Sequence, residues 1–274
     1  MTSVSLKSMM MLTNEFDFLK LIKFCCLLIF TGHGVAFVIA SSDLNVVFPN
    51  GDFVGKLFGV ALLIFSLPLL LPISIIKKLN LQFLFFVPFI VLAVTTFSSF
   101  VSSGCVPEQI VEHSSKLLTP LLLIHLISVK CINMKKALFL AKIIIALTFF
   151  GHGMFALGVN YVPESFIGMT TSILGLEIGE SLFFLKVIGM LDILFAFLIF
   201  SKIHIESAFV YLIIWGTLTA SARLAYGILI YDGSVVDLVY WASNMIFRLP
   251  NGLIPFLVLR YINAFPQGAI RAKA

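Results

Sequence analysis

The chain has 274 residues, of which 60% are hydrophobic and only 11% charged, and its mean hydropathy is +1.12. A water-soluble globule carries about 25% charged residues, so the composition excludes one and points to an integral membrane protein in a lipid bilayer. The formal net charge of +5 then reads as a topology signal and not as a nucleic-acid footprint.

A helical span needs about 20 mostly apolar residues. In chain order the apolar runs predict eight, over residues 19–40, 53–76, 81–103, 116–129, 137–159, 182–201, 207–230 and 235–262. The fourth is short unless it starts near Val106, and the eighth is interrupted by Arg248 and Pro250. Backbone polar groups in hydrocarbon must pair within their own segment, and no period-2 alternation of a membrane barrel is present. The expected fold is therefore all-α, a polytopic membrane protein with eight transmembrane helices. The first run, about 22 residues, exceeds the 7–15 of a signal-peptide core and is expected as a retained helix.

Charge sets the expected orientation. Lys7, Lys77, Lys78, Lys130, Lys135, Lys136, Lys202, Arg271 and Lys273 fall in the termini and the second, fourth and sixth loops. The other loops carry Asp43, Asp52, Glu108, Glu112, Glu164, Glu177, Glu180, Asp232 and Asp237. The positive-inside rule puts both termini in the cytoplasm, in a bacterial inner (plasma) membrane. Cys105 then lies outside and Cys131 inside, and no C-x-x-C is present, which disfavours dithiol chemistry.

The chain repeats itself. Gly32–His33–Gly34 in the first span returns as Gly151–His152–Gly153 in the fifth, and Lys56 before Gly59 returns as Lys186 before Gly189. "SKLLTP" (Ser115–Pro120) is answered by "NGLIP" (Asn251–Pro255). Four spans per copy make the copies parallel, related by a pseudo-two-fold along the membrane normal. The expected organisation is a tail over 1–18, a first four-helix repeat over 19–130, a second over 137–264 and a tail over 265–274.

The second repeat carries GHG-x-x-A-x-G at Gly151–Gly158, P-x-x-F at Pro163–Phe166, and G-x-x-D at Gly189–Asp192. "WGTLTASAR" (Trp215–Arg223) and "RLPNGLIP" (Arg248–Pro255) follow. In this pattern it resembles the DoxX/DoxD-like membrane proteins over residues 137–262. The first repeat resembles them less: it has Leu62 where Asp192 would fall and serines where Arg223 would be. The resemblance implies membrane redox chemistry linked to quinone.

Depth points to a site. His33 and His152 each sit about 10 Å below the outer surface of the hydrocarbon core, and intramembrane ionisable groups normally face the bundle interior. His152, Asp192 and Arg223 are the expected catalytic set, an ion pair or polar network. His33, Lys186, Arg248, Gly151 and Gly153 are the expected ligand-binding set, and no metal site is expected. The blander role, helix packing by glycine and cross-helix hydrogen bonding by histidine, stands beside it. His125 is expected to be a packing residue, and His113 and His204 loop residues. Lys56 and Lys116 are expected to snorkel to the headgroups.

Three functions follow. The network can hold the carbonyl oxygens of a quinone, bind an inorganic or lipid anion, or only lock helices together. Haem held by His33 and His152 is a further arrangement, requiring both imidazoles in one cavity. The leading expectation is a DoxX-like subunit supporting electron transfer to membrane quinone, with an oxidoreductase partner subunit because the chain has no cofactor motif. The alternative is a non-enzymatic scaffold, an assembly factor, or a carrier of a small anion or lipid.

Overall fold

The computed structural model describes residues 3–40, 42–201 and 203–264, and their side chains over 17–40, 44–201 and 203–262. Lys202, Arg271, Lys273 and the 265–274 tail lie outside the described residues. Every regular element among the described residues is helical. In order these are α1 (Ser3–Ile39), α2 (Gly51–Ser66), α3 (Ile73–Lys78), α4 (Phe86–Ser102), α5 (Glu108–Glu112) and α6 (Ser114–Ser128). Then come α7 (Met134–Leu157), α8 (Glu164–Leu174), α9 (Ile178–Leu198), α10 (Ile205–Leu229), α11 (Val235–Ile246) and α12 (Pro250–Ala264).

Among the described residues, seven helical stretches are long and apolar enough to cross a membrane: Asp17–Ile39, Gly51–Leu70, Leu81–Ser102, Met134–Leu157, Ile178–Leu198, Ile205–Leu229 and Val235–Ile262. The expected fourth span is the exception. Helix α6 has 15 residues and reaches about 22 Å, short of a hydrocarbon core of about 30 Å. The short α5 precedes it, and the chain turns at His113 between them. The second run ends in a 3-10 turn and α3, because Pro68 and Pro72 supply no backbone N–H to continue α2. Pro250 likewise begins α12 after the break that follows α11. Helix α1 runs back to Ser3, through the stretch expected as a tail.

Helix α1 packs most extensively on α2, and α7 on α9. Glycine makes both contacts possible. A Cβ at Gly59 would lie 2.7 Å from the Gly34 carbonyl oxygen, and one at Gly189 would lie 2.7 Å from that of Gly153. Below these contacts one apolar core runs through the bundle, with Phe18, Ile22, Ile29 and Phe30 of α1 against Leu123 of α6, Phe209 of α10 and Val258 of α12. The outward faces stay apolar: Phe183, Met190, Leu194 and Phe197 of α9 are all exposed. A face of that kind suits lipid and not water.

At the opposite end from the GHG glycines, lysines cap helix carbonyls. Lys23 Nζ donates to the Leu71 carbonyl at 2.8 Å and Lys142 Nζ to the Ile199 carbonyl at 3.0 Å. A cation near the C-terminus of a helix is favoured by the helix dipole. Each of these lysines lies at the same spacing ahead of its GHG histidine.

Candidate functional site

Successive helical residues are about 100° apart, so the two glycines beside His152 serve different neighbours. Gly151 accommodates the end of α5, where a Cβ would run into the Glu112 backbone. Gly153 accommodates Gly189 of α9. The imidazole between them lines a cavity of about 350 Å³ walled by α7, α8, α9 and α10, with Arg248 also on its wall. His33 lies between glycines that do the same work, Gly32 against Phe247 and Gly34 against Gly59.

His152, Asp192, Arg223 and Arg248 all line this one cavity. The wall is otherwise mostly apolar, with Phe166, Met169, Phe184, Ile188 and Leu218 prominent. The Phe166 ring organises the polar end. Its centroid is 4.9 Å from that of His152 and 5.6 Å from the Arg223 guanidinium carbon, within reach of a cation–π contact. Arg248 lies 4.6 Å over the Phe247 ring and donates from Nη1 to Asn244 Oδ1 at 3.4 Å.

Asp192 departs from expectation. It is 1% exposed, yet its carboxylate is held by α10 and not by Arg223, His152 or Lys186. Tyr211 Oη donates to Oδ1 at 2.9 Å, and Trp215 Nε1 donates to Oδ2 at 3.3 Å. The donors stand one helical turn apart on α10 and satisfy one oxygen each, as an acceptor-only carboxylate requires. Asp192 and Arg223 therefore share a cavity without forming an ion pair.

Lys186 is exposed and does not line the cavity. It lies six residues before Asp192, about 120° away around α9, so one helix cannot aim both inward. His33 is also outside the cavity. It is buried, with its ring stacked on Phe247 at 3.8 Å and 17°. The two imidazoles do not face a common space, which removes the arrangement a bis-histidine haem needs. Lys116 is buried and does not snorkel outward.

Glu112 and His113 join the site without warning from the sequence pattern, which puts both in an outward loop. Instead α5 tucks them against α7. Glu112 Oε2 lies 3.7 Å from His113 Nδ1, with the two side chains 15% and 16% exposed. Burial pushes the Glu112 carboxyl up, but His113, His152, Arg248 and Arg223 together outweigh it and hold it near 2. Burial and then Lys116 push the His113 imidazole down to about 3, against the pull of Glu112. The usable signal is the pairing of a small-residue GHG site with an acid–histidine pair ahead of a run too short to span.

Among the described residues, His152 Nδ1 and Arg223 Nε are buried without a hydrogen-bond partner. Buried polar atoms are normally paired, and these two belong to residues lining one cavity. The cavity can thus take a mostly apolar molecule whose oxygen atoms accept hydrogen bonds at one end.

No protein-family model, curated protein or solved structure matches the chain.

Proposed function

We propose that this chain is a membrane-embedded quinone-binding subunit, of the DoxX-like kind that residues 137–262 resemble, supporting electron transfer between quinone and an oxidoreductase partner. The observation that carries the reading is the pair of buried, unpartnered atoms, His152 Nδ1 and Arg223 Nε, on two residues that line one mostly apolar cavity. A quinone head offers two carbonyl acceptors to such a pair, and its isoprenoid tail suits the apolar wall. The cavity volume lies in the range of small-molecule sites, about 300–1,000 Å³. When the partner supplies two electrons, the quinone takes up two protons from solvent, and His152 is the residue suited to relay them one at a time, regaining each proton it passes on.

The same reading takes the bundle as two parallel four-helix repeats, with the short α6 as the eighth element and both termini cytoplasmic in an inner membrane. The matched glycine contacts support it, as do the matched lysine caps. A further link is the bond from Ser115 Oγ to Asn251 Oδ1 at 2.8 Å, which joins α6 to α12. The first copy is then a closed site: Phe247 covers His33, and buried Leu62 stands three residues beyond Gly59 as Asp192 stands beyond Gly189.

Solvent extraction of the purified protein tests the function. Quinone should accompany the wild type and be lost from Arg223→Gln at equal protein yield. Its absence from both would reject the reading. Two guanidiniums beside one cavity favour one other reading, a non-enzymatic carrier of an anionic lipid, in which case the extract would contain a fatty acid or phospholipid instead.

A further inference from the structure

The charges lining the cavity do not balance by themselves. Arg223 and Arg248 face it, with Asp192 as the lone carboxylate among the residues that line it, the imidazole of His152 counted as neutral. A neutral ligand in such a place leaves one cation without an opposite charge, at a depth where unpaired charge is costly. Glu112 stands directly behind the site. Its backbone fills the space that Gly151 leaves beside His152. At the matching position against Gly32 the chain has Phe247, which carries no charge, and the histidine there is covered by a ring.

We propose that Glu112, contributed by α5 from the other half of the chain, is the residue that sets the charge class of the ligand, reserving the cavity for a neutral carbonyl head over a carboxylate or phosphate one. The proposal rests on the quinone reading of the same cavity. Glu112 acts as a positioning residue: it does not line the cavity and works by neutralising the field of the two guanidiniums. Lys116, also buried, does not line the cavity. The carboxylate form of Glu112, already held by its cationic neighbours, is the state this role needs.

The test uses the full chain in nanodiscs of zwitterionic lipid and two probes of similar length, a decyl-substituted benzoquinone and palmitate. Wild type should bind the quinone more tightly. In Glu112→Gln the quinone-over-palmitate preference should fall about tenfold or more, chiefly through tighter palmitate binding. The double variant Glu112→Gln/Arg248→Gln should restore it. Arg248→Gln alone, the variant to use if Glu112→Gln does not accumulate, should weaken palmitate more than quinone. A preference that is the same in Glu112→Gln as in wild type overturns the proposal, as does equal weakening of both probes in Arg248→Gln. If the wild type takes up palmitate but no quinone, the quinone reading itself fails, a result distinct from an unmoved ratio.

Discussion

Gly153 and Gly189 meet across α7 and α9 so closely that a Cβ on Gly189 would lie 2.7 Å from the Gly153 carbonyl oxygen. The obstacle is backbone, which cannot rotate away. Gly189→Ala should therefore destabilise the bundle by about 1–3 kcal/mol, as overpacking does. Gly179 lies on the same helix, where an added Cβ would meet nothing within 4 Å. Gly179→Ala should leave stability unchanged or slightly raised. Thermal melts of both variants in one detergent check the contrast, and equal melting points would refute it.

The proposed orientation can be read from native thiols. Cys105 and Cys131 are exposed, while Cys25 and Cys26 are buried. A membrane-impermeant maleimide added to intact spheroplasts should label Cys105 and spare Cys131. Permeabilisation should add Cys131 and leave the buried pair unlabelled. Labelling of Cys131 first would reverse the orientation.

Acid should weaken the fold in two stages. His113 is held near 3 against an ordinary 6.5, so the unfolded chain binds the proton first and stability declines as pH falls below about 6.5. Glu112 is held near 2 against 4.5. Its contribution is complete above 4.5 and disappears as pH falls toward 2. Melting temperatures of wild type and Glu112→Gln should fall in parallel from pH 6.5 to 4.5, the wild type higher, and converge below that as the wild type falls more steeply. Parallel curves throughout would show that Glu112 is not held by cations.

Most of this arrangement is legible from residue type and depth. Glycine beside histidine in hydrocarbon predicts close approach, and Asp192, Arg223 and Arg248 within apolar runs predict an interior site; they share a cavity with His152. Azimuth is harder. Lys186 is expected at the right depth but lies on the exposed side of α9, and depth alone does not tell inward from outward. Partner choice is also beyond the pattern: Asp192 has arginines in its cavity yet is bound by Tyr211 and Trp215, because side chains one turn apart on α10 reach it first. Glu112 is hidden by its setting, since an acid in a connection between apolar runs reads as solvated until α5 is seen to fold under α7. The eighth span is not confirmed for a related reason: the fourth run, extended back to Val106, is divided at His113 into α5 and α6.

Trp215 lines the cavity, and the chain has 2 tryptophans. Replacing Trp241 with Phe leaves Trp215, inside the proposed site, as the single tryptophan. Titrating a short-chain benzoquinone into that variant in nanodiscs should quench Trp215 along a saturable curve, and adding Arg223→Gln should abolish the saturable part. Quenching that rises linearly and identically in both proteins would mean quinone reaches Trp215 only by collision from the lipid, and the binding site would not exist.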